Sequence, residues 1–117
     1  NNTKMEDIIM TQDNSTKKDK RFAVHIDKDL EDLIPGYIEN RQKDIISIRD
    51  ALEKGDFESI RILGHSMKGS GGGYGFDEIT RIGASLETTA KDKDAEAIKQ
   101  WTEKLSYYID NIDITYD

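Results

Sequence analysis

Residues 56–76 read DFESIRILGHSMKGSGGGYGF, and their interpretation decides the fold. The first eight look like the start of a helix, while Gly64–Phe76 holds six of the chain's nine glycines. Such a run is a linker, a phosphate-binding loop, or a helix with one face stripped bare. A P-loop needs its lysine after the last glycine, directly before Ser or Thr, and a strand in front. Here Lys68 precedes Gly69 and helical spacing precedes the run. A linker would lose apolar periodicity, yet Ile60, Leu63, Met67 and Tyr74 recur at intervals of three, four and seven. At about 100° per residue these share one face, so the spacing predicts a helix running on to Tyr74. Gly75 then suits the left-handed residue that closes it.

On that helix His65 points about 170° away from the centre of the apolar stripe. Lys68, Gly69 and Gly72 follow at i+3, i+4 and i+7 and share its outward side. Each interior glycine costs a helix about 1 kcal/mol relative to alanine, so the bare face needs an offsetting use. Gly71 leans inward, where it permits close packing, whereas Gly69 and Gly72 clear space for a partner to approach His65. Ile62 lies about 60° from His65 by the same arithmetic, off the core stripe, where it can serve an apolar docking patch.

Working outward, upstream of the glycines the chain reads as helices with clear punctuation. Asp27 can cap a short helix through about Leu33, and Pro35 suits the first turn of a long one to about Lys54. Ile38, Ile45, Ile48 and Leu52 line its inner face, Gly55 stops it, and Asp56 starts the next. Downstream, Ile79, Ile82, Leu86 and Ala90 mark a helix from about Asp77. The charged turn KDKD separates it from a last helix capped by Asp94, carrying Ile98, Trp101, Leu105, Tyr108 and Ile112. No β-alternation competes. The expected architecture is all-α: an antiparallel up-down-up-down four-helix bundle with a short additional N-terminal helix. Residues 1–26 read as a polar leader with an apolar island at Ile8–Met10, and 27–117 as the bundle. Because the sequence opens on Asn1 rather than methionine, it reads as an excised piece or a processed chain.

Composition narrows the chemistry. The 117 residues are 35% charged and 35% hydrophobic, enough for one core. The net charge of −7, with no basic face, disfavours nucleic acid. No apolar run approaches the roughly 20 residues of a membrane span. There is no cysteine, and two histidines far apart make no metal site. His25 has no supporting neighbours and is expected to be incidental, and Trp101, Tyr107 and Tyr108 are expected in the core or at its rim. An unperturbed imidazole titrates near about 6.5 and is mostly a neutral nucleophile at pH 7. Beside a lysine it can take a phosphoryl group on nitrogen. With no general base, metal ligands or nucleotide loop of its own, the chain reads as a phosphoryl carrier and not an enzyme. A helical adaptor binding a partner through the cleared face, without phosphorylation, is the rival function.

GHSMKGSGGGYGF, Gly64–Phe76, resembles the active-helix signature of histidine-containing phosphotransfer (HPt) domains: histidine, two residues, lysine, glycine, small residues, and a closing glycine. His65, Lys68, Gly69 and Gly75 match, and the likeness covers roughly Asp27 to Tyr108. Gly71, Gly72 and Gly73 depart from it, standing where non-glycine residues are common. The resemblance implies a phosphorelay intermediate that exchanges a phosphoryl group with an aspartate of response-regulator receiver domains. His65 is then the phosphoacceptor, Lys68 the phosphate-stabilising residue, and Gly69 leaves room for the receiver. Arg61, Ile62, Ser66 and Gly72 are expected to join Gly69 in receiver docking. The chain would need no cofactor of its own, Mg²⁺ belonging to the receiver. A histidine kinase in the same chain is a further candidate partner. The expected location is the cytoplasm, whether or not the parent is membrane-anchored.

Overall fold

The structure, a computed structural model, describes residues 21–117. The polar leader up to residue 20, with its apolar island, lies outside the described residues. Strand β1 (Phe22–Ile26) leads into helices α1 (Ile34–Lys54), α2 (Phe57–Ser70), α3 (Asp77–Lys91) and α4 (Ala95–Asp110), and strand β2 (Ile112–Tyr116) closes the chain.

The helix boundaries follow local chemistry. Pro35 sits in the first turn of α1. Gly55 ends that helix at φ +71°, in the left-handed region that glycine enters without penalty. The Asp56 carboxylate then accepts from the Ser59 N–H at 3.1 Å, and that of Asp94 from the Ala97 N–H at 3.1 Å, each satisfying an otherwise unpaired first-turn donor. Asp27 caps only a 3₁₀ turn, Lys28–Leu30, in place of the short helix expected through Leu33.

α2 and α3 make the most extensive helix contact, and α4 and α1 complete a ring of neighbours. Ile48, Ile60, Ile79, Leu86, Ile98 and Leu105 are fully buried within it, as the spacing predicted for each. Ile38, Leu52 and Leu63 are only partly buried against that core. Phe76 and Ile26 are also fully buried, although the helical stripes did not include them.

Three further expectations are corrected. First, α2 stops at Ser70, and Gly72–Tyr74 forms a 3₁₀ turn. The tighter turn still delivers Tyr74 inward, its ring stacked on Tyr37 at 4.4 Å, so apolar spacing survives a change of helix type. The Phe76 N–H returns to the Gly71 carbonyl at 2.8 Å, and Gly75 closes the turn at φ +97°. Second, residues 22–26 are a strand and not part of a leader, so the chain is not helical throughout. β1 pairs with β2 in parallel, from Phe22 opposite Ile112 to Ile26 opposite Tyr116. Third, Ile112 begins that strand and does not extend α4. It fits the helical period after Tyr108, but the Asn111 side chain donates to the Tyr107 carbonyl at 2.7 Å and caps the helix.

Candidate functional site

The site rests on two glycines that let α2 and α3 touch backbone to backbone. A Cβ at Gly64 would lie 2.7 Å from the Glu87 nitrogen and 2.8 Å from the Gly83 carbonyl oxygen. One at Gly83 would lie 2.5 Å from the Lys68 nitrogen. With neither present, α3 comes close enough for Glu87 to reach past Gly64 to the side chains that flank it.

Glu87 is the meeting point. One oxygen, Oε2, lies 3.0 Å from His65 Nδ1, and the other, Oε1, accepts from Lys68 Nζ at 2.8 Å. The Glu87 side chain is only 10% exposed, whereas His65 is 65% and Lys68 43% exposed. The Lys68 hydrogen bond, aided by His65 and opposed by burial, pulls the Glu87 carboxyl from its ordinary 4.5 to about 2. An ionised carboxylate only accepts, so the imidazole nitrogen facing it carries the proton. Neutral His65 is thereby held as the Nδ1–H tautomer, and its Nε2 lone pair has no partner among the described residues. Lys68 keeps two ammonium protons free of Glu87 on the same surface.

The other predicted residues divide. Ile62 is 53% exposed on the helix turn before His65, and Ser66 is exposed beside it. Arg61 is engaged by Glu58, with Nε to Oε1 at 3.0 Å. A Cβ at Gly69 would meet nothing within 4 Å, so that face is open as expected. Gly72 is exposed and also serves the turn: its N–H donates to Thr80 Oγ1 at 2.8 Å. Gly71 packs inward, its absent Cβ leaving room for the Thr80 nitrogen at 2.6 Å. His25 stands apart from the site, 3.4 Å from an Asp117 carboxylate oxygen.

Glu87 went unnoticed in the sequence, although a signal existed. It is an acidic residue on the buried side of α3, directly after Leu86 and four residues after Gly83. Among the described residues no group of three or more His, Cys, Asp or Glu side chains could hold a metal ion. No helix among them is long and apolar enough to cross a membrane.

A family model described as Hpt domain matches residues 32–113. Among curated proteins and among solved structures, none matches the chain. The matched span runs from just before α1 into β2 and contains both helices that build the site. The chain therefore belongs to the Hpt domain family and has a phosphotransfer role in two-component signalling, which implies interaction with response-regulator receiver domains.

Proposed function

We propose that His65 is the phosphoacceptor and that it exchanges its phosphoryl group with an aspartate of a receiver domain. The observation that carries this reading is the asymmetry of the imidazole: Nδ1 is anchored on Glu87 while Nε2 is bare and faces solvent. The Nε2 lone pair attacks the phosphorus of the receiver's aspartyl phosphate. A P–N bond forms, the P–O bond to the aspartate breaks, and that carboxylate leaves with the electron pair. No proton has to depart, because Nε2 carries none. The ring gains positive charge while its Nδ1–H stays on Glu87, whose carboxylate offsets that charge. In the reverse direction an aspartate oxygen attacks phosphorus and the P–N bond breaks.

Lys68 places its remaining ammonium protons beside the phosphoryl oxygens. Ile62, Arg61, Ser66, Gly69 and Gly72 border the face on which the receiver docks, Gly69 by leaving the backbone uncovered. The Mg²⁺ and the acidic pocket are the receiver's contribution, and a histidine kinase within the same parent chain is a second donor or acceptor. An antiparallel up-down-up-down order belongs to this reading. It is supported by Gly71 meeting Thr80 while Gly64 meets Glu87, and by the 2.9 Å hydrogen bond from early α1 to the end of α2, Tyr37 to Ser70.

Incubation with a phosphorylated receiver and Mg²⁺ tests the assignment. Acid-labile label should accumulate on the wild-type chain and be absent from His65→Gln. Label on His65→Gln would overturn it. No label on either, with receiver binding retained, would establish the adaptor function instead.

A further inference from the structure

We propose that the outer edge of β2, Ile112–Tyr116, is a self-pairing site whose occupant is β2 of a second copy of this chain, running antiparallel about an axis through Ile114. This inference stands apart from the phosphotransfer chemistry of His65. It starts from the direction of the backbone groups. The Phe22 N–H donates to the Asn111 carbonyl and the Asp117 N–H to the Ile26 carbonyl, both at 2.9 Å. In a parallel ladder of this register, Asp113 and Thr115 turn their N–H and C=O toward β1. Ile112, Ile114 and Tyr116 turn theirs away. Among the described residues the one bond on that side comes from Arg21, whose guanidinium donates to the Ile112 carbonyl at 3.0 Å. That oxygen keeps a second lone pair.

The opposite edge differs at its far end, where β1 meets the Gly75 turn: a Cβ at Gly75 would sit 3.1 Å from Ile26 Cγ1 and 3.8 Å from the His25 carbonyl oxygen. The outer edge of β2 is open apart from the Arg21 contact, and its own sequence offers little protection beyond Asp113. None of the chain's 17 lysines and arginines falls within IDITY, nor does its single proline. Four of the five residues are β-branched or aromatic.

The edge is complementary to itself. With Ile114 opposite Ile114 of the second copy, the two residues exchange both backbone hydrogen bonds, as do Ile112 and Tyr116 across the seam. Asp113 then faces Thr115 and no like charge stands directly opposite. The ends carry opposite charge: Arg21 reaches over the Ile112 end, and Asp117 follows Tyr116 at the other. Antiparallel pairing brings Arg21 of each copy to Asp117 of the other, twice. The diagonal approach of the two Asp113 carboxylates is unfavourable, as is bringing together two chains that each carry a net charge of −7. Phe22, Val24 and Glu78 line one groove beside the strands, so β1 lies near the start of α3. Nine residues at 1.5 Å each separate Glu78 from Glu87, about 13 Å along the helix, and His65 stays open in the pair.

Sedimentation equilibrium of the full chain from about 10 µM to about 1 mM, suited to an interface below standard size, should show the mass rising from monomer toward dimer. Ile114→Pro removes an outward N–H and spares the inner ladder, so it should stay monomeric with an unchanged circular dichroism spectrum. Arg21→Asp and Asp117→Arg should each weaken pairing about five- to tenfold and together restore it. Asp113→Asn should tighten it. In the wild type the Ile114 amide should exchange more slowly as concentration rises, while the Asp113 amide is protected throughout. A monomeric mass up to about 1 mM would overturn the proposal. So would undiminished association of Ile114→Pro, or an Ile114 amide indifferent to concentration.

Discussion

Two glycines five residues apart on α2 should respond to alanine in opposite ways. A Cβ at Gly69 meets nothing within 4 Å, so Gly69→Ala adds helix propensity with no clash, stabilising the chain by about 0.5–1 kcal/mol. For a domain of this size that raises Tm by about 2–8 °C. A Cβ at Gly64 would stand 2.7 Å from the Glu87 nitrogen, where ordinary contact begins at 3.4 Å, so the helices must part by about 0.7 Å. The opposing atoms are backbone and cannot rotate aside. Overpacking of this kind costs about 3 kcal/mol, and about 1 kcal/mol of propensity offsets part of it. Gly64→Ala should therefore lose about 2 kcal/mol net, or about 8–16 °C. The same parting would stretch the contacts of Glu87 to His65 and Lys68, now 3.0 and 2.8 Å, to the limit of hydrogen bonding. Thermal melts and the rate of transfer from a phosphorylated receiver separate the two variants. Gly69→Ala should melt higher yet transfer more slowly, because its methyl would occupy the proposed docking face; Gly64→Ala should be worse in both. A Gly69→Ala variant that melts lower would refute the open-face geometry, and one that transfers at the wild-type rate would refute the clearance role.

Glu87 should also shape acid unfolding. Its carboxyl titrates near about 2 when folded against 4.5 ordinarily, so the folded state binds fewer protons; its stabilisation is complete above about pH 4.5 and is lost as pH falls through about 2. Urea midpoints measured across that window should fall less steeply for Glu87→Gln, with the remaining slope carried by acids such as Glu58 and Glu78, also held low by arginines; an identical slope would exclude the coupling. Ile62→Ser should leave stability within about 0.5 kcal/mol, since the side chain is half exposed, yet weaken receiver binding about 5- to 30-fold. Undiminished affinity in a binding titration would remove Ile62 from the docking face.

The helices were legible because their signals are local. Gly55 followed by Asp56, and the charged turn before Asp94, mark their own boundaries within a few residues. The strands carry no comparable mark. Each is five residues long, and Phe22 meets a partner ninety positions away, with no hairpin turn to announce the pairing. Ile112 satisfied the helical period and the strand period equally, and the choice fell to the Asn111 cap. Tyr74 misled differently: a 3₁₀ turn repeats every three residues, so an inward aromatic could not distinguish it from a continued α-helix.

His65 and Lys68 were legible as a pair because helical phase alone relates them. Glu87 is related to them only through the closeness of α2 and α3, which Gly64 and Gly83 set jointly from two segments. Its presence changes the expected role of the lysine. Lys68 is no free cation beside a histidine but half of an ion pair whose other half faces the same imidazole. With the imidazole uncharged, the Glu87 and Lys68 charges cancel, so in the proposed transfer the phosphoryl group would meet a neutral cluster. Lys68→Ala would therefore do two things: remove a cation from the phosphoryl oxygens and leave an uncompensated carboxylate near them. Together these should slow transfer about 10- to 100-fold with the fold unchanged. Glu87→Gln in the Lys68→Ala background removes that repulsion while its amide oxygen still accepts from Nδ1–H, so the double variant should transfer faster than Lys68→Ala alone. Single-turnover rates from a phosphorylated receiver decide it. If the two substitutions simply multiply, Glu87 and Lys68 act separately, and the shared carboxylate has no part in setting the charge that the phosphoryl group meets.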